Sequence, residues 1–278
     1  MYHISDFRGL PTANPLFQRL TLLTGPEAAE ALEKSRVLVA GLGGVGSWCA
    51  EALVRSGVGS ITIVDSDLIS ESNINRQVHA TCRSIGRAKV EVMEERLKEI
   101  NPDCKVLPFK EFFSAETASI FDIPGADYII DAIDTVSSKL DLIENALKAD
   151  RRIFSSMGMA QKLDPTLIKT ADIWKTTDCP LARLVRQGLR KRGIDGHFTV
   201  VYSPEQIPRQ RDTLSGRRGG DIEREGGKLI NGSIVTVTAA AGMILASLVI
   251  RDICARFALQ TRFAPQAGTA QTEDENHG

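Results

Sequence analysis

Three glycines at fixed spacing, Gly41, Gly43 and Gly46 in GLGGVG, separate the apolar run RVLVA (36–40) from SWCAEALVRSG (47–57), which has helical spacing. Glycine at these points permits a tight turn, lets the backbone approach a phosphate and lets a helix pack on a strand. The N–H groups that open the helix then face an anion. Asp65 closes the next apolar run, SITIVD, 24 residues after Gly41, where a carboxylate accepts hydrogen bonds from ribose hydroxyls. These positions specify a nucleotide that carries a ribose, against the alternative of a purely structural turn. They do not say which nucleotide.

The residues that follow discriminate. Asn73 and Arg76 lie in SNINRQVHA and Lys89 in GRAKVEVMEERL. A dinucleotide oxidoreductase has no task for such groups behind its ribose acid. A nucleoside triphosphate does, because amides and cations must offset its phosphate charge. Asp134, ending the apolar run DYIIDAID, stands where a carboxylate holds Mg²⁺ against those phosphates. Any one of these cations alone would read as solvated surface charge. Together, at the carboxyl edge of a doubly wound sheet, they favour a triphosphate.

The elements that must position these residues alternate strand and helix. Helical patterns cover 26–34, 47–57, 86–100, 137–149 and 180–192, and strand patterns cover 36–40, 60–65, 105–109, 126–134, 152–156, 166–172 and 197–203. The expected fold is α/β: a doubly wound, Rossmann-like, mainly parallel sheet with a C-terminal extension carrying further strands and a basic helix. Residues 1–25 read as an irregular N-terminal arm and 26–135 as the nucleotide-binding half. Residues 136–260 read as the half that shapes a substrate site, with a mobile loop at 204–230, and 261–278 as a disordered tail.

Composition is that of an ordinary globular chain: 278 residues, 42% apolar, 25% charged and a net charge of −1. The five cysteines include no Cys-x-x-Cys, which argues against a disulfide framework and against a four-thiolate structural zinc site. Cys179, just before Pro180, is the one candidate nucleophile, against its reading as a small buried hydrophobe. His79 and His197 read as structural histidines. The opening MYHISDFRGLPTANP carries no basic-then-apolar signal pattern, which places the chain in a reducing cytoplasm. The uncharged run 234–250 is short of the ~20 residues that span a bilayer and reads as a buried strand followed by a core helix, not as a membrane anchor.

Charge is unevenly distributed. Residues 183–218 hold nine cations, among them Arg183, Arg186, Arg190, Lys191, Arg192, Arg209 and Arg211, against three acids, a balance of +6. The rest of the chain has 25 basic and 32 acidic residues. Gathering positive charge into one helix and one loop is what binding a phosphate backbone requires, and a tRNA is the partner this patch suits.

GLGGVGSW, VDSDLISESNINRQ, GRAKVEVM and DAIDT resemble the ubiquitin-activating, ThiF/MoeB-type adenylating enzymes over roughly residues 16–260. The resemblance implies that Gly41, Gly43, Gly44, Gly46, Asp65 and Asp67 hold ATP, that Asn73, Arg76 and Lys89 hold its phosphates, and that Asp134 helps bind Mg²⁺. It implies further that Arg19, in FQRLTLLTG, reaches into the ATP site of a neighbouring subunit, hence a homodimer with composite sites. The paired Cys-x-x-Cys zinc ligands usual in that family are absent.

NINRQVHA, KLDPTLIKTADIWKTTDCPLARLVRQGLRKRGI and VVYSPE are similar to a branch without zinc motifs, the tRNA threonylcarbamoyladenosine dehydratases. That similarity implies ATP-dependent cyclisation of N6-threonylcarbamoyladenosine beside the anticodon. A carboxylate is a poor electrophile, because its leaving group would be oxide. Attack on the α-phosphate of ATP makes an acyl-adenylate whose leaving group is AMP, and the second nucleophile is already in the substrate. Ring closure then needs proximity instead of an enzyme cysteine. The rival reading is adenylation of the C-terminus of a ubiquitin-like sulfur carrier; a nicotinamide oxidoreductase and a non-catalytic tRNA-binding protein are more distant ones. A sulfur-relay partner such as a cysteine desulfurase and a monovalent cation are left open by the residues.

Overall fold

The computed structural model describes residues 14–206, 224–225, 228–229 and 232–262. Seven strands form one sheet: β1 (Arg36–Ala40), β2 (Ser60–Val64), β3 (Lys105–Phe109), β4 (Tyr128–Asp131), β5 (Arg152–Ser156), β6 (Lys169–Asp172) and β7 (Thr199–Tyr202). Their order is β3-β2-β1-β4-β5-β7-β6, parallel throughout except that β6 runs antiparallel to β7. The winding reverses between β1 and β4, and at such a switch point the carboxyl ends of the strands open a crevice. The expected doubly wound fold with added C-terminal strands is present.

Period-2 alternation assigns each strand residue to one of two cores. Val37, Val39, Ile61, Ile63, Tyr128 and Ile130 pack under α3 (Gly46–Arg55), α4 (Lys89–Ile100) and α7 (Val235–Arg262). Leu38, Ala40, Val64 and Ile129 face the other way, under α5 (Val136–Lys148) and α6 (Pro180–Lys191). Each fully buried Leu or Ile contributes about 1.5–3 kcal/mol of transfer free energy.

Several expectations are corrected. The arm is not irregular throughout: the Asn14 side chain accepts the Leu16 N–H at 3.1 Å and opens a 3-10 turn at Pro15–Phe17, which leads into α1 (Gln18–Thr24). Gly25, at φ +87°, ends α1 and starts α2 (Pro26–Lys34). α4 begins at Lys89, not at 86. Gly86 turns at φ +82° and Ala88 is extended in an antiparallel bridge to Leu68, where Ile69 N–H donates to Arg87 O and Lys89 N–H to Asp67 O, at 2.9 and 3.1 Å. β4 ends at Asp131, so Asp134 lies on the following loop. Only Lys169–Asp172 of 166–172 is strand, since Pro165–Leu167 forms a 3-10 turn.

The run 234–250 contains no strand. It is one helix with its continuation, α7, although Val235, Thr236 and Val237 are β-branched. Close packing overrides their propensity: a Cβ at Gly242 would stand 2.4 Å from Val45 O and 3.0 Å from Cys49 N. Val235–Phe257 is the one stretch of the described residues long and apolar enough to cross a bilayer, and its stripe Val237, Ala241, Leu245, Val249 and Ile253 belongs to the core. Within 204–230 a short hairpin, β8 (Arg224–Glu225) and β9 (Lys228–Leu229), is described. Most of that loop and the tail beyond Arg262 lie outside the described residues.

Candidate active site at the sheet switch point

The glycine turn leaves β1 at the reversal. Gly41 adopts φ +91°, and a Cβ there would stand 2.7 Å from Ala132 O. At Gly46 a Cβ would come within 1.8 Å of Gly41 O. Gly44 faces the Arg76 stem and Thr238, at 3.0 and 3.1 Å from a Cβ. Gly43 alone faces open space, with nothing within 4 Å. The turn is therefore closed on the protein side and open above Gly43, a cradle that a phosphate fits. α3 points its positive end at the turn, and its Ser47 N–H donates to Gly43 O at 3.2 Å.

Asp65 is docked against this turn. Its Oδ2 accepts the Leu42 N–H at 2.7 Å and its Oδ1 the Asp67 N–H at 2.9 Å. Lys89, at the start of α4 and 5% exposed, bridges Asp65 Oδ1 at 3.4 Å and Asp67 Oδ2 at 2.7 Å. Asn73 caps its own 3-10 turn by accepting the Ser70 N–H at 3.2 Å. Arg76 donates to Ser72 O and Asn75 Oδ1 at 2.7 and 2.9 Å, its stem lies on Gly44, and burial pulls its pKa down. Trp48 donates its indole N–H to Arg76 O at 3.0 Å, and Asn75 donates to Ser233 O at 2.8 Å, tying this cationic segment to α3 and to the residues just before α7.

Asp134 sits exposed on the loop after β4 and touches only Thr135 Oγ1, at 3.3 Å, among the described residues. Its lone pairs are available to a hard cation. No group of three or more His, Cys, Asp or Glu side chains that could cage a metal occurs among the described residues. One carboxylate plus substrate phosphates is how Mg²⁺ is usually held, so the site fits that ion.

Contacts thus tie Gly41, Gly43, Gly44, Gly46, Asp65, Asp67, Arg76 and Lys89 to one turn, Asn73 joins them by accepting the Arg76 N–H at 3.1 Å, and Asp134 follows two residues after Ala132, which packs on that turn. Arg19 is not among them. Its helix packs through Phe17 and Leu20 on Gly57, beyond the C-terminal end of α3, while the glycine turn is at the N-terminal end. Ten residues of α3 separate the two by ~15 Å.

The basic helix is only partly available to a partner. Arg186 donates to Thr176 O at 3.1 Å and to the Thr176 hydroxyl, and Arg192 pairs with Asp141 and Glu144 at 2.7 and 2.8 Å. Arg183 and Lys191 are exposed with no ion pair among the described residues, and Arg190 lies 5.2 Å over the Trp174 ring. Trp174, Arg190 and His197 line an open cavity of about 510 Å³. Arg209 and Arg211 lie outside the described residues. Cys179 is buried in the core under α6 at the helix start and is closed to a substrate. Burial and the neighbouring Lys89 and Arg96 lower the His79 pKa to about 4, so this buried imidazole is neutral at pH 7.

Sequence reasoning missed Asp131 and Lys139, both with fully buried side chains and paired at 2.7 Å. The signal was present: Lys139 falls on the stripe Leu142, Ile143 and Ala146 that α5 turns to the core, at helical spacing.

A model of the ThiF family matches residues 17–274. The tRNA threonylcarbamoyladenosine dehydratase of Bacillus subtilis is 42% identical over 85% of this chain and 94% of its own length. Its Escherichia coli namesake is 34% identical over 86% and 93%. The crystal structure of the E. coli enzyme in complex with ATP superposes with a TM-score of 0.76 at 32% identity, covering 88% of this chain and 96% of that one. The likeness runs along nearly the whole chain, and the chain belongs to the ThiF family.

Proposed function

We propose that the protein is an ATP-dependent tRNA threonylcarbamoyladenosine dehydratase, which adenylates the threonyl carboxylate and lets the modified base cyclise. The observation that carries this reading is the match to the B. subtilis dehydratase over 94% of that protein's length. The geometry supplies the chemistry.

Asp65 accepts from the ribose, the amides around Gly43 take the phosphates, and Arg76 and Lys89 offset the charge that grows as pyrophosphate leaves. Mg²⁺, when bound, neutralises part of that charge beside Asp134. The substrate carboxylate attacks the α-phosphorus and pyrophosphate departs. An atom of the same threonylcarbamoyl group then attacks the acyl carbon, AMP departs with one carboxylate oxygen, and a proton is released. The net loss from the base is one water. Lys89 must exchange its carboxylate partners for phosphate as ATP enters, since it is now held by Asp65 and Asp67.

The ATP half (26–135) and the substrate half (136–260) meet across β4 and β5 of the shared sheet. Arg183, Arg190 and Lys191 contact the tRNA backbone. Arg19 serves the partner's site in a homodimer, which its distance from its own glycine turn supports. A protein acting on tRNA in this way works in the cytoplasm.

The test is mass spectrometry of nucleosides after incubating tRNA with protein, ATP and Mg²⁺. The expected result is a loss of about 18 Da from threonylcarbamoyladenosine, one water leaving as the positioned groups close the ring. An unchanged nucleoside, with ATP consumed only when a ubiquitin-like protein is added, would sink the reading.

A further inference from the structure

Beneath the loop that carries Asp134 lies an ionic cluster with no access to solvent. Asp131 Oδ2 accepts from Lys139 Nζ at 2.7 Å and from Ser155 Oγ at 2.6 Å, while Oδ1 accepts the Ile133 N–H at 3.1 Å. Lys139 also donates to Ser156 O at 2.9 Å. One carboxylate therefore joins the end of β4, the second residue of the loop behind it, α5 and the end of β5.

Stability does not account for this arrangement. A buried ion pair repays its desolvation poorly, and an apolar pair of similar volume usually serves as well or better. What such a pair does provide is a fixed geometry. Its place in the fold says which geometry: Ala132, between Asp131 and the Ile133 N–H that donates to it, is the residue against which Gly41 and Gly46 pack. Its carbonyl would be 2.7 Å from a Cβ at Gly41, and its Cβ 3.0 Å from one at Gly46. A shift of the 132–135 loop would move both Asp134 and the glycine turn.

We infer that Asp131 and Lys139 are positioning residues for the ATP site: they fix the 132–135 loop so that Asp134 and the phosphate cradle stay in register, and Ser155 extends that control to β5. Neither side chain touches ATP. The inference rests on the reading of Asp134 as the carboxylate beside the metal–phosphate complex.

The test pairs Asp131→Val/Lys139→Met, which replaces the ion pair with apolar groups, with Ser155→Ala, which removes the serine's hydrogen bonds to Asp131 and from Lys139 and spares the pair. Hydrogen exchange of the peptide spanning 131–137 and calorimetry of ATP with and without Mg²⁺ are measured on the whole protein. In the double variant, exchange should accelerate about tenfold or more. The gain in ATP affinity that Mg²⁺ confers should shrink about fivefold, and affinity in EDTA, which reads the glycine turn without the metal, should fall by a smaller factor. Ser155→Ala should shift both readings in the same direction by a smaller factor, and it decides the matter if the double variant does not fold. Wild-type exchange and wild-type Mg²⁺ dependence in the folded variants overturn the inference. If wild type itself shows no Mg²⁺ gain, the metal reading of Asp134 fails, and the exchange data alone decide whether the pair positions the loop.

Discussion

Leu42 donates its backbone N–H to Asp65 Oδ2 at 2.7 Å, so the glycine turn after β1 and the acid after β2 form one unit. The same carboxylate keeps its Oδ1 within 3.4 Å of Lys89 Nζ. Asp65 and the glycine turn are thereby locked to one another before any nucleotide arrives, which limits the ordering that binding must impose, whereas Lys89 has its carboxylate partners to give up first.

The glycines of the turn should separate by mutation. Gly46→Ala forces its Cβ onto Gly41 O, so it should lower the melting temperature and abolish ATP binding together. Gly43→Ala meets no protein atom and should leave the melting temperature unchanged while weakening ATP about tenfold or more, a loss of about 1.4 kcal/mol. Thermal melts and calorimetry on the two variants check this. Equal melting temperatures for both would show that the turn is less tightly packed than described.

Arg76→Ala and Lys89→Met should each slow tRNA-dependent AMP formation by about 10²-fold, the scale of losing one preorganised charge-stabilising donor. Because these cations face the departing phosphates, affinity for AMP should change far less than affinity for ATP. Parallel titrations with the two nucleotides measure the difference.

Arg19 offers a test of composite sites. Mixed Arg19→Ala and Asp134→Ala homodimers, each inactive, should recover about a quarter of wild-type activity after subunit exchange. Half of the dimers are then mixed and each holds one intact site. If Arg19 acted within its own subunit, mixing would restore nothing.

His79 predicts a pH dependence of stability. Its folded pKa of about 4 lies below the unfolded value, so the unfolded chain binds the extra proton first as pH falls. Its contribution is fully present above about pH 6.5 and falls by about 2 kcal/mol by pH 5. Urea melts of wild type and His79→Phe at pH 7 and pH 5 check this. The variant should lose the part of the slope that lies above the carboxylate range.

Much of this was legible in the residues. The glycine spacing, Asp65, Arg76 and Lys89 stand out by residue type, and the fold brings them to one turn; β1 and β4, buried on both faces, read as unbroken apolar runs. What was illegible depends on contacts made across the chain. The helical form of 235–237 follows from α7 lying on α3 at Gly242. The start of α4 at Lys89 follows from the antiparallel bridge of Ala88 to Leu68, flanked by the bonds Ile69 N–H to Arg87 O and Lys89 N–H to Asp67 O. Charge counting could not show that Arg186 and Arg192 are committed to Thr176, Asp141 and Glu144, because those partners are 10 to 51 residues away. Asp131 and Lys139 were hidden because a buried pair leaves no local pattern beyond a charge on an apolar stripe.

Adenylation has the substrate carboxylate attack the α-phosphorus of ATP, so that one of its oxygens leaves with AMP when the ring closes. The most direct measurement uses tRNA whose threonylcarbamoyl carboxylate carries ¹⁸O, followed by mass analysis of the products. One labelled oxygen should appear in AMP and none in pyrophosphate. Label released to water, or found in pyrophosphate with AMP unlabelled, would contradict it.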